Sequence, residues 1–212
     1  MFDSVARCYD LLNDLLSFGL DRRWRRAAAG AVAVRPGDVA LDLGCGTGRL
    51  GGILGRRCRV VGVDLSAAML KLARRGAPHS FVQASAFKLP FRSGAFSAAV
   101  SGFLLRNLHD LRAAFEELAR VVSPGGGVAL LDITEPANPT LRRVFDAYFA
   151  RAAPALGALA GNAQAYRYLV RSLAQLPPAD EVLALLRAAE FRDQTARPLT
   201  GGVVTLFTAV RR

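Results

Sequence analysis

The sequence contains few of the residues that build metal sites, disulfides and membrane spans. It has two histidines, His79 and His109, so a histidine-built metal site is not expected. Its three cysteines form no C-x-x-C pair and are odd in number, which favours a reduced, cytoplasmic setting. No stretch approaches the roughly 20 apolar residues of a membrane span. The first ten residues carry acids where a signal peptide carries basic residues.

Lysine is also scarce, because only Lys71 and Lys88 contribute to the 28 basic residues, and arginine supplies the rest. The net charge is +11, and arginines are densest in "DRRWRR", which surrounds Trp24 and follows the apolar "LLNDLLSFGL". A GC-rich genome that encodes arginine in place of lysine on solvated faces, an anionic membrane surface and a nucleic acid each account for this charge. The apolar stretch and the tryptophan fit a membrane interface at least as well as RNA.

The apolar pattern predicts one α/β domain over residues 1–212. Five strand patterns alternate with helix patterns between residues 37 and 134, which predicts a doubly wound, mainly parallel, Rossmann-like sheet that forms the cofactor-binding core. Residues 1–36 are predicted as an N-terminal helical cap, and residues 135–178 as a helical insertion that covers the substrate. Residues 179–212 are predicted as a closing helix and a strand hairpin, which completes a seven-stranded sheet.

Two glycine fingerprints compete in the run "LDLGCGTGRLGG" at residues 41–52. Gly46 opens a G-x-G-x-x-G pattern of the dinucleotide-binding kind, but this pattern begins late relative to the end of the first strand. Counting from the first glycine after the strand gives G-x-G-x-G, at Gly44, Gly46 and Gly48. Arg49 then stands where a dinucleotide site has its third glycine. The run therefore resembles motif I of class I S-adenosylmethionine-dependent methyltransferases.

Two carboxylates agree with that cofactor. Asp42 lies two residues before Gly44 and supplies negative charge for the ammonium group of S-adenosylmethionine, directly or through water. Asp64 ends the second predicted strand, where a carboxylate accepts hydrogen bonds from both ribose hydroxyls.

Blocks along nearly the whole chain resemble one family in order. They are "MFDSVARCYDLLNDLLSFGLDRRW", "LPF", "LLRNLHD", "ARVVSPGGGVALLDIT", "NAQAYRYLVRS" and "GGVVTLF". They are similar to the ubiquinone/menaquinone biosynthesis C-methyltransferases, a family of class I methyltransferases. The resemblance implies transfer of a methyl group from S-adenosylmethionine to a ring carbon of a prenylated quinol.

The resemblance, together with the motif residues, implies three sets of site residues. The expected cofactor contacts are Tyr9, Asp42, Gly44, Gly46, Thr47, Gly48, Asp64, Leu65, Ser85, Ala86, Ser101 and Gly102. The catalytic candidates are Arg106, which can stabilise a phenolate, with Asn107 and His109. The expected substrate walls are Asn162, Tyr166, Arg167 and Tyr168. Each of the last two sets also fits an ordinary structural role: a surface arginine, a residue at a helix N-terminus, or the packing of an aromatic helix.

Several positions depart from the family pattern. Asp21 replaces a histidine, Leu104 a glycine, Asp132 a glutamate, and Ser85 an asparagine or aspartate. These changes leave the reaction type as the resemblance implies it and leave the ring substrate open. Another phenolic small molecule is therefore an alternative acceptor, while an RNA methyltransferase, a catalytically silent cofactor-binding subunit and a nicotinamide oxidoreductase are weaker alternatives.

The expected partner is a lipophilic quinol or another phenolic small molecule, and a nucleic acid is not expected. A quinol with an isoprenoid tail lies in the bilayer, so we expect a cytoplasmic enzyme that contacts the inner face of the cell membrane. The helix "TLRRVFDAYFARAAPALGALAG" carries an apolar stripe at Leu141, Val144, Phe145, Tyr148 and Phe149. Membrane contact, core packing and a homodimer interface each explain that stripe.

Overall fold

The computed structural model describes residues 13–14, 16–76, 79–159 and 176–212, and the side chains of 152–159 are not among the described ones. The helices are α1 (Asp21–Ala31), α2 (Arg49–Leu54), α3 (Ala67–Gly76), α4 (Leu111–Val121), α5 (Pro139–Leu159) and α6 (Ala179–Ala188). The strands are β1 (Val39–Leu43), β2 (Arg59–Asp64), β3 (Ser80–Gln83), β4 (Phe96–Gly102), β5 (Val122–Ile133), β6 (Phe191–Leu199) and β7 (Val204–Arg211).

One sheet contains all seven strands, in the order β3-β2-β1-β4-β5-β7-β6. The first five strands are parallel to one another, and β7 runs antiparallel to both β5 and β6. The closing pair is antiparallel because a short turn around residues 200–202 joins its strands. The predicted doubly wound, seven-stranded α/β fold is confirmed.

A separate apolar cluster covers each face of the sheet. Leu41 and Phe115 belong to the cluster under α4 and α6, and Ala40 and Trp24 belong to the cluster under α1 and α2. Neighbouring residues of β1 therefore point into different layers, as the alternation of side chains along a strand requires. With both faces covered, the edge formed by the strand ends is the place where ligands can reach the sheet.

The helical cap predicted over residues 1–36 is interrupted before α1, because Phe18 and Gly19 have left-handed φ angles of 50° and 75° and residues 17–20 form turns. Strand β5 starts at Val122, where it pairs with Phe96 before the register shifts. The predicted helical insertion is confirmed over α5, and residues 160–175 lie outside the described part. No helix among the described residues is long and apolar enough to cross a membrane.

Candidate active site

A cavity of about 320 Å³ lies where β1, β2 and β4 end. We call it the glycine-loop cavity. Its wall includes residues of the glycine run, of the β2 end, of the loop after β3 and of the segment after β4: Leu43, Gly44, Gly46, Val63, Asp64, Leu65, Met69, Ala84, Ser85, Ala86, Phe87, Gly102, Phe103, Leu104, Asn107, Leu108 and His109. The parallel sheet assembles this wall because the carboxyl ends of adjacent parallel strands meet at one edge.

The turn after β1 requires glycine at three alternating positions. Gly44, Gly46 and Gly48 have φ angles of 66°, 55° and 83°, a region that residues with a Cβ rarely adopt. At Gly44 space is also short, because an added Cβ would lie 2.8 Å from Cδ1 of Leu104. The G-x-G-x-G pattern is thus a conformational requirement of this turn, and it leaves bare backbone facing the cavity.

Asp64 is fixed at the edge of this cavity by backbone donors. Gly46 N–H donates to its Oδ2 at 2.8 Å, and Ser66 N–H donates to its Oδ1 at 2.8 Å. The carboxylate therefore holds the glycine turn against the end of β2, while it remains part of the cavity wall. A fixed carboxylate at this place is suited to accept hydrogen bonds from a diol.

Asp42 lies beneath the glycine turn and does not contribute to the cavity wall. Its Oδ2 accepts a hydrogen bond from Gly51 N–H at 2.7 Å, and its Oδ1 has no partner among the described residues. Burial raises the pKa of this carboxyl to about 6, although the Gly51 hydrogen bond opposes the shift. In this structure Asp42 supports the turn from below and joins β1 to α2.

The other expected cofactor residues divide into three groups. Leu65, Ser85, Ala86 and Gly102 line the glycine-loop cavity. Thr47, Gly48 and Ser101 do not line it, and the buried Ser101 hydroxyl donates to the carbonyl of Leu43 at 2.7 Å. Tyr9 lies outside the described residues, as do the expected substrate residues Asn162, Tyr166, Arg167 and Tyr168.

A second cavity, of about 400 Å³, lies beside the first. We call it the apolar cavity, and most of its wall is aliphatic or aromatic: Asn13, Leu16, Ser17, Phe18, Leu20, Asp21, Trp24, Phe103, Arg106, Ile133, Leu141, Val144, Phe145, Tyr148, Phe149, Thr200, Val203 and Val204. All five residues of the α5 stripe line it. The spacing i, i+3, i+4, i+7, i+8 had indicated one helix face, and the structure shows what that face covers.

Two long-range hydrogen bonds tie the walls of the apolar cavity together. Trp24 Nε1 donates to Thr200 Oγ1 at 2.8 Å, which joins α1 to the turn between β6 and β7. Tyr148 O–H donates to the carbonyl of Leu16 at 2.9 Å, which joins α5 to the segment before α1. Thr200 and Phe103 were not predicted as site residues, because neither belongs to a motif and Thr200 lies far along the chain from Trp24.

Arg106 lies in the apolar cavity, whereas Asn107 and His109 line the glycine-loop cavity. The Arg106 guanidinium is ion-paired with Asp132, and both groups are buried. Asp132 also accepts from the backbone N–H groups of Arg106 and Ile133, at 3.1 and 2.8 Å. Arg106 is thus a buried cation whose position is fixed by β5. The His109 ring packs against the Phe87 ring, with the centroids 4.3 Å apart and the planes tilted by 50°.

A buried ion network joins α1 to the helix that follows the glycine turn. Arg25 Nε donates to both oxygens of Asp21 at 2.9 Å, and Arg49 Nη1 donates to Asp21 Oδ2 at 3.1 Å. Arg49 also pairs with Asp14, and this pairing lowers the pKa of the Asp14 carboxyl. Asp21, which replaces the histidine of the family pattern, therefore fixes the position of two arginines, Arg25 on α1 and Arg49 at the start of α2.

Comparison with known proteins identifies the class of enzyme that carries these cavities. The sequence profile described as the ubiE/COQ5 methyltransferase family matches residues 1–211. The chain belongs to this family. A demethylmenaquinone methyltransferase of Mycolicibacterium vanbaalenii is 40% identical over 214 residues, which cover 100% of this chain and 93% of that protein. A ubiquinone/menaquinone biosynthesis C-methyltransferase UbiE of Syntrophotalea carbinolica is 38% identical over 219 residues, with coverage of 100% and 92%.

Solved structures show the same fold for this ubiE/COQ5 family member. A geranyl diphosphate methyltransferase in complex with SAM has a TM-score of 0.64 and 18% identity, and the match covers 90% of this chain and 85% of that one. At this identity the likeness concerns the fold alone. The predictions of an enzyme, of the methyltransferase class and of the family are confirmed. Among the described residues, no cluster of His, Cys, Asp or Glu has the composition of a metal site.

The buried Asp42 predicts a specific dependence of stability on pH. Its folded-state pKa of about 6 lies above the ordinary value of 3.8, so between these values the native protein binds more protons than the unfolded chain. The contribution of this carboxyl to the free energy of unfolding is largest below the ordinary pKa. It falls by about 3 kcal/mol as the pH rises to about 6. Urea denaturation of the ligand-free protein between pH 4 and 7 measures this loss.

In the Asp42→Asn variant, position 42 cannot titrate, so this variant is expected to keep the free energy that wild type loses. The two curves of unfolding free energy against pH therefore diverge as the pH rises. The Asp146→Asn variant changes an exposed carboxylate and serves as the control, with a profile parallel to wild type. Parallel profiles for Asp42→Asn and wild type would contradict the assignment of a raised pKa to Asp42.

Proposed function

We propose that this family member transfers a methyl group from S-adenosylmethionine to a ring carbon of a prenylated quinol. The observation that carries the proposal is the adjacency of two different cavities at the end of β4. One has polar backbone and a carboxylate in its wall, and the other is large, aromatic and aliphatic. The names of the relatives, which refer to demethylmenaquinone and to ubiquinone and menaquinone biosynthesis, support a quinol acceptor.

The glycine-loop cavity has the residues that S-adenosylmethionine requires. Asp64 offers carboxylate oxygens for the ribose hydroxyls, and Leu65, Met69 and Phe87 offer apolar surface for the adenine ring. The left-handed glycines leave backbone open for the amino-acid end. When bound there, the cofactor supplies an activated methyl group on a sulfonium.

The apolar cavity suits a quinol with an isoprenoid tail. Its aliphatic and aromatic wall binds hydrocarbon, and within it Arg106 supplies a positive charge. A quinol carbon becomes nucleophilic when the neighbouring hydroxyl loses its proton, because the phenolate charge is delocalised to the ortho carbon. Arg106, held by Asp132, stabilises that phenolate in a water-poor environment. Asn107 and His109 lie on the side of the glycine-loop cavity and face the donor end of the site.

A methyl-transfer assay tests the acceptor class. Purified protein is incubated with S-adenosylmethionine labelled in the methyl group and with demethylmenaquinol, demethoxy-type benzoquinols, a simple phenol or RNA. We expect label in a quinol product, because only a ring acceptor with an apolar tail fills the apolar cavity. Label in the simple phenol or RNA alone, or no label in any acceptor despite measurable cofactor binding, would contradict the proposal.

Replacement of Arg106 tests its role at the acceptor. A single neutral substitution would leave the Asp132 carboxylate buried without its cation, which destabilises a protein by several kcal/mol. The double variant Arg106→Met/Asp132→Asn removes both charges, so the fold is expected to persist while kcat falls about 10²–10³-fold. Cofactor affinity measured by calorimetry serves as the control, since neither residue lines the glycine-loop cavity. A folded double variant with the wild-type kcat would show that Arg106 takes no part.

We also infer that the mouth of the apolar cavity contacts an anionic lipid surface on the cytoplasmic face of the membrane. Three of the large exposed hydrophobic side chains lie in the wall of this cavity: Phe18 at 79% exposure, Val144 at 62% and Leu141 at 43%. Exposed arginines accompany them, with Arg22 on α1 and Arg143 on α5. Apolar side chains beside arginines match an interface of hydrocarbon and phosphate.

Vesicle co-sedimentation tests this contact. Wild type is expected to bind phosphatidylglycerol-containing vesicles more strongly than phosphatidylcholine vesicles, with weaker binding at high salt. The double variant Phe18→Ser/Val144→Ser is expected to lose about tenfold or more in partitioning, because two apolar side chains no longer enter the lipid. Leu65→Ser, at a residue 71% exposed but outside this rim, is the matched control. Equal binding by all three proteins would contradict the inference.

A further inference from the structure

Phe103 stands between the two cavities. It is the one described residue that contributes to both walls. We propose that Phe103 narrows the opening between the two cavities, which makes it the partition of the site, and that it is a positioning residue for methyl transfer. Its ring leaves room for the acceptor carbon to meet the donor methyl group and keeps the rest of the acceptor out of the glycine-loop cavity. The assignment of donor and acceptor to the two cavities rests on the proposed function.

The backbone of Phe103 is strained in a way that fixes the direction of the side chain. Its φ of 66° is in the left-handed region, which bulky residues adopt only when the surroundings impose it. Two hydrogen bonds impose this conformation. Phe103 N–H donates to the carbonyl of Leu131 at 2.7 Å, and Asn107 Nδ2 donates to the Phe103 carbonyl at 3.1 Å. The turn therefore places the ring off the end of β4, at the boundary of the two cavities.

Two cations hold the ring of Phe103. The guanidinium carbon of Arg25 lies 5.0 Å from the ring centroid, and that of Arg106 lies 5.7 Å from it. Both distances are within the range of cation–π attraction, which is strengthened in a buried environment. The Trp24 ring adds an edge contact at 6.4 Å. Rotation of the Phe103 side chain would lose these contacts together, so the ring is held in one position.

Each of these cations is held in turn by a buried carboxylate. Asp21 binds Arg25 through both oxygens, and Asp132 binds Arg106. The series carboxylate, guanidinium, ring, guanidinium, carboxylate thus crosses the site between α1 and β5. Gly102 makes room for it, because an added Cβ there would lie 3.1 Å from Arg25 Nη1. Four charged groups from three segments of the chain therefore fix one phenyl ring.

A binding experiment without turnover tests the partition. The adenosyl probe is S-adenosylhomocysteine, measured by calorimetry, and the apolar probe is menadione, a naphthoquinone whose binding quenches tryptophan fluorescence. Trp24 is the single tryptophan of the chain and lies in the wall of the apolar cavity, so quenching reports that cavity. In wild type, saturating menadione is expected to change the Kd of S-adenosylhomocysteine by less than about twofold.

In Phe103→Ala the opening between the cavities is wide, so menadione is expected to enter the glycine-loop cavity and raise the Kd of S-adenosylhomocysteine by about fivefold or more. Phe103→Leu keeps part of the volume and is expected to give an intermediate effect. Phe145→Ala removes an equal ring from the apolar cavity alone and is the matched control. It is expected to bind menadione more weakly, without competition between the probes.

The outcomes separate this proposal from the proposed function. Independent binding of the two probes in Phe103→Ala, or in Phe103→Leu if the alanine variant does not fold by circular dichroism, would overturn the role of Phe103 and leave quinol methylation unaffected. Absence of Trp24 quenching in wild type would overturn the assignment of the apolar cavity, and the partition with it. Competition between the two probes in the Phe103 variants, without competition in wild type or Phe145→Ala, supports the partition.

Discussion

Parallel pairing of β1 with both β2 and β4 is the constraint on which the site depends. Because parallel strands end at the same edge, this pairing brings together three segments that lie tens of residues apart in the sequence. The glycine turn follows β1, the Asp64 carboxylate ends β2, and Phe103 follows β4. The glycine-loop cavity is the space that these three strand ends leave open. Its walls would separate if any of the three strands shifted in register.

Buried ion pairs also fix the arrangement of the site. Asp21 and Asp132 are among the least exposed charged residues, and each holds an arginine that lies against Phe103. Ion pairs of this kind contribute little net stability, because desolvation offsets the attraction, but they are demanding in geometry. Their contribution here is to hold Arg25 and Arg106 in position against Phe103. Asp21 reaches Arg49 at the start of α2 as well, so the same network that holds Phe103 also anchors the helix after the glycine turn.

The fold and the glycine turn could be predicted because they depend on local patterns. Alternation of strand and helix signals predicted the α/β sheet, and the hairpin signal at the C-terminal end of the chain predicted the antiparallel pair. The alternating glycines and Asp64 predicted one wall of the first cavity. The orientation of Asp42 could not be predicted in this way, since a motif gives a residue's place in the chain and not the direction of its side chain. Its carboxylate lies below the turn, on Gly51.

The order of the elements, the family and the chemistry of the glycine turn could thus be predicted from the chain alone, because each is encoded in neighbouring residues. Which distant residues share a wall depends instead on how the elements pack in the folded protein. From the sequence, the α5 stripe at residues 141–149 fitted core packing, membrane contact and a dimer interface, and the structure places its five side chains in the wall of the apolar cavity. Phe103 belongs to no motif, and its position between two cavities results from a left-handed turn, two arginines and their carboxylates. Such contacts arise from packing between elements, and no periodicity in the chain records them.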